Sequence, residues 1–133
     1  MASKKKRRKV LIKARDLMND GGKHWMQGEF EKQFYVTGQI DVETSYCSVG
    51  AINKASVGDS YPELNPSILS FLKKRKRKLS DQVCRDLFEL GGLKIFRKQK
   101  YVNKNSVVDW NDHHKTTWSE VDAAFAKAIK ELS

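Results

Sequence analysis

The sequence predicts an α+β fold: a single, mainly helical domain with a small β-hairpin. Three observations carry this. Apolar residues recur at helical spacing in several stretches, most strictly over 121–132. Aromatic and β-branched residues flank a Gly turn between 34 and 42. The chain has 133 residues, the length of one domain and enough for one core.

The first helix begins within or just after a basic N-terminal arm, residues 1–9, which is expected to be flexible. Val10, Leu11, Ala14, Leu17 and Met18 make its apolar stripe, and Asp20-Gly21-Gly22 ends it. Residues 23–29 read as an ordered loop holding Trp25. Phe34, Tyr35 and Val36, then Thr37-Gly38-Gln39, then Ile40 and Val42 form the hairpin. Two strands are marginal alone, so they must pack on helices. A second helix is expected near 46–56, capped by Thr44 or Ser45, with Val49, Ile52 and Ala55 inward. Gly50 and Ala51 are small enough to admit another backbone. Residues 59–66 form a connector, and Asn65-Pro66 starts a third helix carrying Ile68, Leu69, Leu72 and Leu79.

Residues 73–78 are six consecutive cations. At about 100° per residue they cover the whole helix circumference. The helix therefore either leaves the body near 73 or snorkels these side chains outward, and a projecting segment over 73–79 is expected. Ser80 caps a fourth helix, 81–90, with Val83, Cys84, Leu87, Phe88 and Leu90, and Gly91-Gly92 stops it. Residues 93–106 read as extended. Thr117-x-x-Glu120 is a capping box for the last helix. Its stripe is Val121, Ala124, Phe125, Ala128, Ile129 and Leu132. The domain proper runs 10–133.

There are 26 Lys+Arg against 16 Asp+Glu, a net charge of +10. Lys4, Lys5, Lys6, Arg7, Arg8 and Lys9 form one run. Lys73, Lys74, Arg75, Lys76, Arg77 and Lys78 form the other. Without these 12 the chain keeps 14 Lys+Arg against 16 Asp+Glu, a body of net −2. No apolar run approaches the roughly 20 residues of a membrane span. No apolar stretch follows the basic N-terminus as a signal peptide requires. Two cysteines make no disulfide framework. A membrane span, a cysteine-rich secreted module and a multidomain enzyme are excluded, and a cytoplasmic protein is expected.

Four spaced motifs stand out: Trp25-x-Gln27-Gly28, Cys47-x-x-Gly50-Ala51, Trp110-Asn111-Asp112 and Thr117-x-x-Glu120-Val121. In this pattern the chain resembles an uncharacterised family of small bacterial and phage proteins. The resemblance is dense over 25–28, 46–55 and 107–130, and thin or absent over 1–9 and 57–106. It implies a compact, helix-dominated domain of a bacterium or its phage. It also implies that the basic segments are additions to a shared scaffold, and it implies no activity.

Cys47 falls in the first turn of a predicted helix, where the dipole favours a thiolate. With His113, His114, Asn111 and Asp112 elsewhere and Gln27 as an amide donor, a Cys47-dependent hydrolase is conceivable. The alternative, a small buried core residue, is preferred, because no nucleophile signature surrounds this Cys. His24, Cys47, Cys84, His113 and His114 lack metal-ligand spacing, so no metal is expected. The glycines build no phosphate loop, and no cofactor is expected. Trp110-Asn111-Asp112 reads as a structural turn, because Asn and Asp side chains bond neighbouring backbone.

The basic runs carry the functional expectation. Lys4–Lys9 with Val10 resembles a nuclear import signal, which matters only in a eukaryotic cell. In a bacterial or phage setting the same residues read as phosphate ligands. The expected function is non-enzymatic, non-specific binding of DNA or RNA through both runs, with a log–log salt slope of roughly −5 to −10. Phe71, Phe96 and Tyr101 could stack on bases, although the core is their preferred place. The alternative partner is a host protein with an acidic face.

Overall fold

The computed structural model describes residues 2–35, 42–60, 71–94 and 102–133. Its elements run α1 (Lys4–Met18), β1 (Glu31–Tyr35), β2 (Val42–Tyr46), α2 (Ser48–Val57), α3 (Phe71–Leu90), α4 (Lys104–Asp112) and α5 (Trp118–Glu131). The result is a mainly helical α+β domain with one antiparallel hairpin.

The arm is a helix. Ser3 caps α1 by accepting the Lys6 amide at 3.2 Å, so Lys4–Lys9 are its first two turns rather than a flexible tail. Val10, Leu11, Ala14 and Met18 are buried, as their spacing requires. Each fully buried Leu or Met contributes about 2 kcal/mol of transfer free energy. Asn19 ends the helix, and Asp20, Gly21 and Gly22 turn the chain with φ of 74°, 68° and 84°.

In the hairpin, Glu31 faces Tyr46 and Tyr35 faces Val42. The predicted turn Thr37-Gly38-Gln39, with Val36 and Ile40, lies outside the described residues. Thr44 and Ser45 belong to β2 and do not cap the next helix. Cys47 does, its Sγ accepting the Gly50 amide at 3.3 Å. The next helix, α2, is the central element: Ser48 through Asn53 are all buried. A Cβ on Gly50 would overlap the Phe30 carbonyl, so only Gly lets the helix sit this close to the chain entering β1.

The predicted break at Ser80 does not occur, and α3 is continuous from Phe71 to Leu90. Ser80 is fully buried and donates its hydroxyl to Asn53 Oδ1 at 2.5 Å. Its polar group answers a tertiary partner instead of a helix end. The basic run therefore lies in the N-terminal half of a helix that packs on α1, α2, α4 and α5. The predicted helix start at Asn65-Pro66, with Ile68 and Leu69, lies outside the described residues.

The stretch read as extended and as a turn ends in a helix. Asn103 and Ser106 form a capping box for α4, and Val107, Trp110 and Asn111 face inward. Trp110-Asn111-Asp112 is thus the last turn of a helix. After it, the Thr117 hydroxyl accepts the Glu120 amide at 3.4 Å and opens α5. Val121, Ala124, Phe125 and Ala128 bury its stripe. Arg15 of α1 and Asp122 of α5 form an ion pair at 2.7 Å across the surface. No described helix is long and apolar enough to cross a membrane.

Candidate functional site

The motif residues converge on one side chain. Asn111 is fully buried. Its Oδ1 accepts from the Trp25 indole at 2.8 Å, the Ser48 amide at 2.9 Å and the Ser48 hydroxyl at 2.7 Å. Its Nδ2 donates to the Met26 carbonyl at 3.1 Å and to Asp112 Oδ1 at 3.0 Å. Gln27 Nε2 donates to the carbonyls of Asn111 and His113, each at 2.9 Å. Asp112 Oδ1 also accepts the Gly28 amide at 3.0 Å. Trp25 and Trp118 pack with ring centroids 6.5 Å apart.

This is a brace. It ties the loop before the hairpin, the start of α2 and the end of α4, joining residues up to 86 positions apart. The Ser48 amide is one of the donors a helix start leaves open, and Asn111 satisfies it from another element. With its acceptor oxygen triply engaged inside the core, Asn111 is placed to hold the fold.

Cys47 is 1% exposed, and burial pushes its thiol up to about 12. The amide of Gly50 works in the opposite direction but does not prevail. A nucleophilic thiol needs the reverse arrangement, exposed and electropositive. The geometry therefore disfavours the hydrolase candidate and matches a small core residue that also caps α2. His113 and His114 stack on each other at 4.5 Å. Among the described residues no three His, Cys, Asp or Glu side chains converge as a metal site would need.

Two arginines of the first run tie the fold together. Arg7 is buried, its Nε 3.3 Å from Asp86 Oδ2 on α3. The two atoms pair by charge without hydrogen-bond alignment, and among the described residues neither buried atom has a hydrogen-bond partner. Arg8 donates to the Ile129 carbonyl at 3.3 Å, in the last turn of α5. There a cation also meets the negative end of the helix dipole. Arg7 and Arg8 hold α1 down. Lys4, Lys5, Lys6, Lys9, Arg75, Lys76 and Lys78 are exposed, and Arg77 is half-buried. Lys73 and Lys74 belong to the first turn of α3, and their side chains lie outside the described residues, as do those of Phe71, Phe96 and Tyr101.

The two runs meet. A groove of about 580 Å³ lies between the start of α1 and the basic half of α3, lined by Ala2, Lys6, Arg75, Lys78, Leu79 and Gln82. Three of its described lining residues, Lys6, Arg75 and Lys78, are cations. Sixty-nine or more positions separate Lys6 from the other two, so sequence alone shows two runs and not one site. The groove residue Gln82, hydrogen-bonded to Asp86, was also missed. Its one signal is the i, i+4 spacing that lets Gln82 Nε2 donate to Asp86 Oδ1 at 3.3 Å.

A family of unknown function (DUF6197) matches residues 2–131, and the chain belongs to it. The matched span includes both basic runs. No curated protein and no solved structure matches the chain.

Proposed function

We propose that this protein is a non-enzymatic nucleic-acid-binding protein that holds phosphates through the groove between α1 and α3. The observation that carries the reading is the convergence of the two basic runs on one groove. Phosphate contacts of this kind give affinity and position without reading sequence. The reading places the protein in the cytosol of a bacterium or of a phage-infected cell, where single strands and duplexes are both accessible.

Electrostatics supports it further. Neither α1 nor α3 has an acidic residue in its first turn, and both carry cations near their positive ends. Helix dipoles favour the opposite charge there, so each helix bears an electrostatic cost that a bound anion relieves.

The test is fluorescence anisotropy with random-sequence DNA and RNA across salt. With seven exposed cations engaged, the log–log slope is about −5 on single strands and about −6 on duplex. Replacing Lys6, Arg75 and Lys78 by Ala flattens the slope by about 2 to 3. Binding that ignores salt, or no binding to any nucleic acid, overturns the proposal. A partner that survives nuclease treatment of a lysate and elutes with salt identifies an acidic protein instead.

A further inference from the structure

Among the described residues of the groove, Gln82 is an uncharged polar side chain set beside the cations, and a hydrogen bond orients it. Gln82 Nε2 donates to Asp86 Oδ1 at 3.3 Å. Asp86 is 5% exposed and also sits against Arg7. A carboxylate accepts and does not donate, so it holds the amide nitrogen of Gln82 towards itself. The amide oxygen is then the end of Gln82 left to the groove it lines. An acceptor is of no use to a phosphate. It is of use to a ligand that carries phosphates and a hydroxyl donor together.

The size of the groove narrows the ligand. About 580 Å³ falls in the range of small-ligand clefts, roughly 300–1,000 Å³. A cleft of this volume admits a short piece of one strand. Leu79 and Ala2 add apolar surface to the lining, on which a sugar can rest.

Resting on the nucleic-acid reading above, we propose that the groove selects single-stranded RNA over single-stranded DNA. Lys6, Arg75 and Lys78 take backbone phosphates, and Gln82 Oε1 accepts a ribose 2′-hydroxyl. Asp86 is the positioning residue, because it touches no ligand and sets which end of Gln82 faces the groove. The 2′-hydroxyl is the group by which proteins tell RNA from DNA at a single site.

The experiment measures Kd for one 12-mer sequence as single-stranded RNA, single-stranded DNA and duplex, on the full-length protein at fixed salt. One such hydrogen bond corresponds to RNA binding roughly three- to tenfold tighter than DNA. Gln82→Ala brings the RNA affinity down to that of DNA. Gln82→Glu, with an extra negative charge in the groove, weakens both. Equal affinity of wild-type protein for RNA and DNA strands overturns the selection and leaves the nucleic-acid reading standing. Tighter binding to duplex than to either strand overturns the groove as the site of the strand. Absence of binding to all three overturns both readings.

Discussion

Asn111→Ala tests whether the motif residues form a brace or a working site. The substitution removes an acceptor of three hydrogen bonds and a donor of two, all centred on a side chain with no exposure. The Trp25 indole is half-buried and can reach water, and the Ser48 hydroxyl can rotate. The Ser48 amide can do neither, because Ser48 is fully buried at the first position of α2. One stranded buried amide costs about 1–3 kcal/mol. The net loss of the other bonds adds about 1 kcal/mol, so the expected total is about 2–4 kcal/mol. With a urea m-value of about 2 kcal/mol/M, the unfolding midpoint falls by about 1–2 M at unchanged m. Circular dichroism in urea measures it. Asn111→Asp keeps the acceptor oxygen but sets a second carboxylate beside Asp112, so its loss shrinks as the pH is lowered and that carboxylate is protonated. A loss below about 1 kcal/mol for Asn111→Ala, accompanied by lost nucleic-acid binding, refutes the brace and makes the cluster a functional site.

Three further outcomes follow from the same geometry. Gly50→Ala forces a Cβ into the Phe30 carbonyl, backbone against backbone, and should cost about 3 kcal/mol in the same urea assay. Arg7→Ala leaves Asp86 buried without its partner and should cost about 3 kcal/mol, whereas Arg7→Met with Asp86→Leu recovers most of it; a double-mutant cycle reads the coupling. Cys47 should resist alkylation at pH 8 in the native protein and react once unfolded, since its thiol is raised from 9.0 to about 12. The sign of the linkage follows: the unfolded chain loses this proton first, so the Cys47 contribution is intact below about pH 9 and fades as the pH climbs towards about 12. Rapid native alkylation, or stability flat over that interval once Cys47→Ala is used as the reference, contradicts the buried assignment.

The legible parts of the chain were those fixed by nearest neighbours along it. Val10, Leu11, Ala14 and Met18 share a helix face whatever surrounds them, and Val121 to Ala128 do the same. Ser80 misled because a hydroxyl before a helical stripe is also what a cap looks like; its partner, Asn53, is 27 residues away. Residues 103–106 misled in the other direction. Asn and Ser build turns and cap helices with the same hydrogen bonds, and only Val107, Trp110 and Asn111 at i, i+3, i+4 spacing tip the balance to a helix. The brace was visible as a set of residue types, yet nothing local says that Trp25, Ser48 and Asn111 share one oxygen atom.

The division of labour within the first basic run bears most on function. A cation-rich first helix turn is disfavoured by its own dipole and by self-repulsion. In α1 that cost is offset by two residues of the same run: Arg7 reaches Asp86 on α3, and Arg8 reaches the end of α5. The two arginines lie side by side in sequence and point to two different helices, so α1 is held at its charged end as well as along its apolar stripe. Holding that end down keeps Lys6 beside Arg75 and Lys78, like charge facing like charge. A solubilising tail needs no such anchorage, since its lysines work equally well when free. Anchored cations gathered in a groove, at a cost to each helix that forms it, are the arrangement that the proposed polyanion site calls for. The comparison that separates the two is the melting temperature with and without a short single-stranded oligonucleotide. A polyanion site gains stability on loading by RT ln(1 + L/Kd), L being the free oligonucleotide concentration, and so rising with the logarithm of that concentration, and a solvated charged surface does not.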